Sequence, residues 1–301
     1  MPRKTSSLFV GRAQSRLPMM ALVLSSVLSA AIPATAAPVP LLPLYAGQYA
    51  DGGGATASFV QINSDWLGST VLWNESTMSY GSGAQIGSFT WGTGLWGLAD
   101  WQTVQQTAQG AGGANAPSII NQWTGIAPTI NFGNGLYNAG HSSTWGAASL
   151  VPFFGSADPS SAQENWTAFF NGYIRVTDAG AYNFSVLNDD GFFFSLTGAS
   201  GTTLNIGRDF LNSRDRNGFA YDLELSPGLY GFDLGMWNRL EAGVVDLRWK
   251  QDGTEWTLVP TSNLVNKIPE PGTVLLLASA CLAALATLRS RRAAQGRPVR
   301  H

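Results

Sequence analysis

The chain has 301 residues, a formal net charge of −2 and one cysteine, but its charge is unevenly distributed. Residues 37–267 contain 8 Lys and Arg against 18 Asp and Glu, so this segment carries a net charge of −10. Such an acidic segment excludes nucleic acid as a partner, because that ligand needs clustered basic residues. The cysteine, Cys281, lies outside the segment, which therefore contains neither a disulfide nor a cysteine metal site.

Residues 1–36 have the order of a secretory signal peptide. Four basic residues precede an uncharged stretch at residues 17–32, which is followed by Pro33 and the small residues Ala34-Thr35-Ala36. This order predicts export and cleavage after Ala36. An uncleaved N-terminal anchor is the alternative, but a membrane span needs about 20 residues and this stretch is short.

The front of the exported segment mixes β-strands with a single helix. Residues 57–62 and 69–74 are predicted strands, residues 100–109 a short helix, and residues 129–132 another strand. There is no internal repeat and no long linker. We therefore assign residues 37–267 to one domain with an elaborated N-terminal half.

The back half is a series of short strands separated by turn residues. Patterns of apolar residues and turn signals predict strands at 167–176, 182–187, 221–225, 230–234, 245–250 and 254–259. Residues 192–196 form a continuous apolar run, which predicts a strand buried on both faces. Residues 177–180 are predicted to form a hairpin turn between the first two. The apolar positions predict a core that includes Tyr182, Phe184, Phe193, Leu223, Phe232, Leu247 and Trp249. Strands at this spacing predict an all-β fold, an antiparallel β-sandwich or barrel.

Residues 165–264 resemble a known lectin-like domain. The matching motifs are Ala179–Phe184, Asn188-Asp189-Asp190-Gly191, Leu225–Tyr230 and Val245–Trp249. They are similar to the domain of anthrax protective antigen that yeast flocculins and adhesins share. The resemblance implies a β-sandwich in which Asp189 and Asp190, joined by a cis peptide bond, bind a calcium ion that contacts sugar hydroxyls.

The resemblance also implies ligand residues beyond the aspartates. The family takes an asparagine from the loop between its last two core strands, which here is residues 236–243. Asn238 is the positional match for a third calcium ligand, and Trp237 is placed to stack on a sugar ring. The neighbouring Arg239 departs from the family by offering a competing positive charge. The loop at residues 209–217, with Asp209, Arg214 and Asp215, is a further candidate rim.

Elementary geometry makes the aspartate pair unusual. Consecutive side chains of a strand point to opposite faces, so two adjacent carboxylates need a special backbone conformation to share one cation. Calcium takes six to eight oxygen ligands, of which Asp189 and Asp190 supply two or more. The alternative is an ordinary turn, in which aspartate accepts backbone hydrogen bonds before Gly191.

The exported segment has few candidate catalytic residues. Its single histidine, His141, lies in a loop with Ser142 and Ser143, and no Gly-x-Ser-x-Gly motif accompanies it. Adjacent carboxylates are too close for the two roles of a glycosidase, whose carboxyl groups are about 5–9.5 Å apart. We therefore predict a protein that is not an enzyme.

The C-terminal segment, residues 268–301, has the form of a sorting anchor. Pro269-Glu270-Pro271 precedes 17 uncharged residues, and Arg289, Arg291 and Arg292 follow. This arrangement resembles the PEP-CTERM signal of Gram-negative bacteria, which exosortase, a membrane protease, recognises. It predicts a short transmembrane helix before processing; a plain tail anchor is the alternative.

Together, these features predict an exported, non-catalytic binding module of the cell surface or biofilm matrix. Its expected ligand is a glycan or exopolysaccharide, bound with the help of calcium. The alternatives are a structural matrix protein without a specific ligand and, as a third hypothesis, a glycan hydrolase on the same scaffold.

Overall fold

A computed structural model describes residues 39–47, 49, 51–68, 71–74, 79–82, 93–154 and 163–266. The predicted signal peptide (1–36) and sorting segment (268–301) lie outside these ranges. The strands are β1 (Val39–Leu41), β2 (Tyr45–Ala46), β3 (Ala55–Ile62), β4 (Val71–Asn74), β5 (Ser79–Ser82), β6 (Ile119–Ala127), β7 (Asn131–Gly133), β8 (Ser149–Leu150), β9 (Trp166–Val176), β10 (Gly180–Asp189), β11 (Gly191–Thr197), β12 (Thr203–Arg208), β13 (Asp215–Gly218), β14 (Leu223–Leu225), β15 (Gly228–Asn238), β16 (Val244–Gln251), β17 (Thr257–Leu258) and β18 (Leu264–Val265). The helices are α1 (Leu98–Ala108), α2 (Gly135–Gly140) and α3 (Ser142–Trp145).

The long strands form two sheets. The first has the order β1-β14-β10-β16-β7-β8, with β13 on β10 and β17 on β16. The second has the order β12-β11-β15-β9-β3-β6, with β18 on β9 and β2 on β15. All pairings are antiparallel except β1 with β14 and β7 with β8, and β4 and β5 form a separate two-stranded sheet.

One apolar core joins the two sheets. Phe184 of β10 and Phe194 of β11 contact each other across it, with ring centroids 5.8 Å apart. The same cluster contains Phe170 of β9 and Leu247 of β16. Apolar side chains that fill the space between two facing sheets define a β-sandwich, which confirms the predicted all-β class.

Five of the seven predicted core residues are buried, and two are only partly buried. Trp249 packs at the margin of the main core. Phe193 points to the other face of β11, where its ring meets Trp101 of α1 at a centroid distance of 4.7 Å. Alternation along the strand explains this outcome: Phe192 and Phe194 face the main core, so Phe193 cannot.

The front half of the domain completes the second sheet. β3 pairs with β9 on one side and with β6 on the other. The predicted helix is present as α1, and it covers the outer face of this sheet, where Trp101 Nε1 donates to the carbonyl of Ala168 at 3.0 Å. None of the helices in the described ranges is long and apolar enough to cross a membrane.

Some sequence predictions were wrong. Residues 177–180 do not connect a hairpin, because β9 belongs to the second sheet and β10 to the first; the turn carries the chain across the core. The nine-residue strand β6 was missed, because its apolar residues alternate poorly. The predicted strand at 254–259 is regular only at Thr257–Leu258.

Candidate ligand-binding site

Three connections between the two sheets meet at one end of the sandwich. Asp190 links β10 of the first sheet to β11 of the second. Residues 209–214 link β12 to β13, and residues 239–243 link β15 to β16. The strand register places them together, because Phe192 pairs with Arg208 and Asn188 pairs with Asp215. The predicted site residues therefore lie where the chain crosses between sheets.

The two aspartates occupy the centre of this end. Their peptide bond is cis, as the resemblance implied. The Asp189 side chain is 10 % exposed, and its Oδ2 accepts a hydrogen bond from Arg214 Nη2 at 2.7 Å. Asp190 Oδ2 accepts from the backbone N–H of Arg239 at 2.8 Å, and its own N–H donates to the carbonyl of Trp237 at 3.0 Å.

A buried asparagine holds the backbone of the pair. Asn188 is fully buried, and its Nδ2 donates to the carbonyl of Asp190 at 2.7 Å. Its Oδ1 accepts from Asn217 Nδ2 of β13 at 2.9 Å. Both ends of the Asn188 amide are therefore satisfied, and the position of the Asp190 backbone is tied to the neighbouring strand.

The carboxylates are poorly compensated as anions. Burial, followed by the repulsion of Asp190, raises the pKa of Asp189 to about 8, although Arg214 opposes the shift. Burial also raises the pKa of Asp190 to about 7, against the lowering effect of Arg239. Two neighbouring carboxylates in such a setting gain from an added cation, since a positive charge favours their ionised forms.

A solvent-open cavity of about 490 Å³ lies above the pair. Both aspartates, both connecting loops and one residue from α3 form its walls. The lining residues are Trp145, Asp189, Asp190, Leu211, Asn212, Ser213, Arg214, Arg239, Leu240, Glu241 and Ala242. A concave site with a few convergent polar groups and an aromatic wall is suited to a small polar ligand.

The aromatic wall, Trp145, comes from the helical segment α2–α3 between β7 and β8, which the sequence did not assign to the site. Asn134 fixes this segment, because its side chain caps α2 by accepting from the N–H of Tyr137 at 2.9 Å. The same Oδ1 accepts from the N–H of Gly243 at 3.1 Å, and Nδ2 donates to the carbonyl of Glu241 at 2.6 Å. One fully buried amide thus joins the helical segment to the 239–243 loop.

The three charged residues of the predicted rim at residues 209–217 make different contacts. Arg214 lines the cavity, whereas Asp209 Oδ1 accepts from the N–H groups of Leu98 and Phe210 at 2.8 and 2.7 Å. Asp215 pairs with Arg208 at 3.4 Å near the surface. Of the three charged rim residues, Arg214 is the one that borders the cavity.

The competing charge expected from Arg239 points elsewhere. Its guanidinium lies over the ring of Trp96, 4.2 Å from the centroid, and Nε donates to the carbonyl of Thr93 at 3.1 Å. The cation in contact with the aspartate pair is Arg214 instead. The backbone of Arg239, through its N–H, is the part that touches Asp190.

Trp237 does not border the cavity. It is 1 % exposed, its Nε1 donates to the carbonyl of Phe210 at 3.1 Å, and its ring packs against Gly191 and the cluster beneath α1. This buried indole presents no face to a sugar. Trp145, which is half-buried, is the tryptophan on the cavity wall.

Asn238 is next to the aspartates in the fold but turned away from the cavity. It is fully buried, and its correctly oriented amide donates to the carbonyl of Leu240 at 3.1 Å and accepts from Trp166 Nε1 at 3.3 Å. The two carboxylates therefore fit a divalent cation, whereas Asn238 would have to give up these bonds to join them.

Other ionisable clusters lend no support to a different chemistry. The described ranges contain no group of three or more His, Cys, Asp or Glu residues arranged to hold a metal ion. His141 lies between α2 and α3, and the Ser142 hydroxyl donates to the carbonyl of Asn138 at 2.6 Å. Burial lowers the pKa of His141. No serine–histidine hydrogen bond is formed by this pair.

Comparisons with known proteins give distant structural similarities. No family model matches the chain, and no curated protein matches it. The epithelial adhesin 6 A domain of Candida glabrata, solved with Galβ1-3GlcNAc, shares 13 % identity over 78 % of this chain and 96 % of its own, with a TM-score of 0.45. A PA14 sugar-binding domain from an RTX adhesin shares 14 % identity over 72 % and 99 %, with a TM-score of 0.41.

A third similar structure is an anti-sigma factor domain-containing protein. It shares 19 % identity over 50 % of this chain, with a TM-score of 0.36. The matched part spans 44 % of that protein, so less than half of its length has a counterpart here. At these scores, the geometry of the site carries the functional argument.

Proposed function

We propose that this protein is an exported, non-catalytic glycan-binding module whose site is the cavity above Asp189 and Asp190. The observation that carries the proposal is the pair of poorly compensated carboxylates at the base of an open cavity. Trp145 offers an aromatic wall, and Asn212, Ser213 and Glu241 offer polar groups. A sugar, with hydroxyls on its edge and C–H groups on its face, suits this mixture.

In this proposal, one calcium ion binds to Asp189 and Asp190. Calcium prefers hard oxygen ligands, and backbone carbonyls and water complete its coordination. When bound, the ion would supply a positive charge and open ligand positions that sugar hydroxyls can occupy. Asn238 is proposed as a third side-chain ligand, which requires its amide to leave Leu240 and Trp166.

Calcium-dependent stability tests the metal part of this proposal. The purified protein should melt several degrees higher in calcium than in chelator, because a ligand that binds the folded state alone stabilises it by about 2.7 kcal/mol at a hundredfold excess over Kd. Asp189→Asn should abolish the difference. Asp252→Asn, the same change at an exposed turn, should leave it intact.

A glycan screen in calcium tests the binding part. Retention of glycans in calcium and their release by chelator would support the module as proposed. A protein that binds neither calcium nor any glycan would instead favour the structural matrix role. Turnover of a glycan would favour a hydrolase, for which carboxylates other than Asp189 and Asp190 would have to be found.

The delivery part of the proposal concerns the two terminal segments. The signal peptide would bring the domain across the inner membrane, and exosortase would process the protein near Pro269-Glu270-Pro271, releasing it to the cell surface or matrix. Mass spectrometry of the surface-extracted protein should find a C-terminus near residues 267–271. A C-terminus intact through His301 in exosortase-competent cells would contradict this step.

A further inference from the structure

Arg214 is held in the cavity by few contacts. Its Nη2 donates to Asp189, and its guanidinium lies 5.8 Å from the centroid of the Tyr137 ring. Its Nε is buried and has no hydrogen-bond partner among the described residues. The side chain is only 14 % exposed. An arginine with five N–H donors thus commits one of them to a protein acceptor at this site.

A calcium ion and Arg214 would interact with the same carboxylate. A carboxylate that ligates calcium is deprotonated and directs its oxygens at the ion. Asp189, whose Oδ2 accepts from Arg214, would be one of the residues that hold the ion. A bound calcium ion would draw on the charge of this carboxylate and weaken its pairing with Arg214, which is the ion pair of Arg214 among the described residues. The guanidinium at the cavity wall would then have donors to offer a ligand.

A calcium ion would remove the negative charge of the cavity. The ionisable groups that face it are three acids (Asp189, Asp190 and Glu241) and Arg214, because the guanidinium of Arg239 lies over Trp96. With these four groups ionised the net charge is −2, and one Ca²⁺ ion would change this to zero. A ligand anion beside Arg214 would then meet a neutral cavity instead of an acidic one.

We propose that the ligand is an acidic glycan, and that Arg214 pairs with the carboxylate of a uronic acid residue. This inference rests on the proposed function and narrows its ligand class. A guanidinium matches a carboxylate through two parallel hydrogen bonds, which gives both strength and orientation. A calcium ion held by Asp189 and Asp190 would supply ligand positions for hydroxyls of the same sugar, and Arg214 would pair with the carboxylate of the ligand in place of Asp189.

Matched oligosaccharides test the proposal on the full chain. The probe is a short oligogalacturonide, and its control is the same oligosaccharide with the carboxyls reduced to alcohols. Short oligomers avoid the gelling of long polyuronates by calcium. In calcium, the acidic oligomer should bind more tightly than the reduced one, since loss of one charge-assisted hydrogen bond weakens binding about tenfold to a hundredfold.

Variants at Arg214 should remove this preference selectively. Arg214→Gln should weaken binding of the acidic oligomer by about the same factor and leave the reduced oligomer unaffected. Arg214→Lys should retain part of the preference, because it keeps the charge but loses the two-bond geometry. Arg208→Gln, which lies outside the cavity lining, is the matched control. The calcium-induced rise in melting temperature should persist in all three variants.

Three results would overturn the inference. If the wild type binds the reduced oligomer as well as the acidic one, or if Arg214→Gln leaves the preference unchanged, the acidic-ligand assignment is wrong and the glycan-binding function stands. If the wild type binds neither oligomer and no member of a wider glycan panel, both the inference and the proposed function are wrong.

Discussion

Asp246 in the first sheet and the pair Asp189-Asp190 at the end of β10 are buried carboxylates that are compensated differently. Asp246 of β16 pairs in register with Leu187 of β10 and is 1 % exposed. Its Oδ1 accepts from Arg216 Nη1 at 2.7 Å, and its Oδ2 accepts from Arg216 Nη2 at 3.0 Å and Arg248 Nε at 3.1 Å. Asp189, two residues beyond Leu187, has one arginine contact, and Asp190 has a backbone N–H.

The difference separates a structural ion pair from a site that can take a ligand. Both oxygens of Asp246 are occupied by guanidinium donors, so no unmet charge is left for a further cation. Asp189 and Asp190 place two carboxylates together at an open cavity, and the pKa of each is raised by burial. Carboxyl groups with perturbed pKa values in a cleft favour a functional role.

The largest expected effect is the loss of Asp246. Asp246→Ala should reduce the free energy of unfolding by about 3–5 kcal/mol, because removing the buried partner leaves two half-buried arginines uncompensated. Urea denaturation with calcium and with chelator measures this loss, which should be the same in both. A loss below about 1 kcal/mol would contradict the structural role of Asp246.

At the cavity, removal of a carboxylate is expected to raise the free energy of unfolding instead of lowering it. In chelator at pH 9, Asp189→Asn should stabilise the fold by about 1–3 kcal/mol, because the raised pKa of Asp189 means that the folded state prefers it uncharged. In calcium, the same variant should be less stable than the wild type. If Asp189→Asn destabilises the protein in chelator, Asp189 is a structural carboxylate like Asp246.

The pH dependence of stability gives a smaller effect with a definite sign. An unperturbed aspartate has a pKa of about 3.9, and burial raises the pKa of Asp189 to about 8 and that of Asp190 to about 7 in the folded protein. Without calcium, their contribution to stability is fully present below pH 3.9 and is lost as the pH rises through 7 and 8. The slope approaches about 1.4 kcal/mol per pH unit for each proton involved.

Comparison of variants isolates this contribution. The double variant Asp189→Asn, Asp190→Asn should have a flatter profile of stability against pH than the wild type between about pH 5 and pH 9. In this range an aspartate with an unperturbed pKa is already ionised. Asp233, whose pKa is also raised by burial, contributes in the same direction in both proteins and cancels. Identical profiles would mean that the aspartate pair is already compensated.

The strands of the back half could be predicted because local pattern decides them. Period-two patterns located β9, β10, β15 and β16 to within a few residues, and a continuous apolar run located β11. Which sheet each strand joins could not be predicted in the same way. The turn at residues 177–180 has hairpin chemistry, yet it leads from one sheet to the other, because pairing partners distant in sequence determine the sheet.

The site was partly predictable for a related reason. Asp189, Asp190 and the two connecting loops lie close to the strands whose pattern was evident. Trp145 is more than 40 residues away in the sequence and reaches the cavity through the cap at Asn134, which no local pattern connects to it. Trp237 and Asn238 had the right position along the chain, but the direction of a side chain depends on packing.

Calcium titration by isothermal calorimetry tests the central claim most directly. The purified protein at pH 8 should bind one Ca²⁺ ion, release protons on binding because its ligands must be ionised, and lose both signals in Asp189→Asn. Asp252→Asn should bind as the wild type does. The contradicting result is a wild type that gives no heat at millimolar calcium and whose melting temperature is the same with and without chelator. In that case the aspartate pair is only a turn, and the calcium site does not exist.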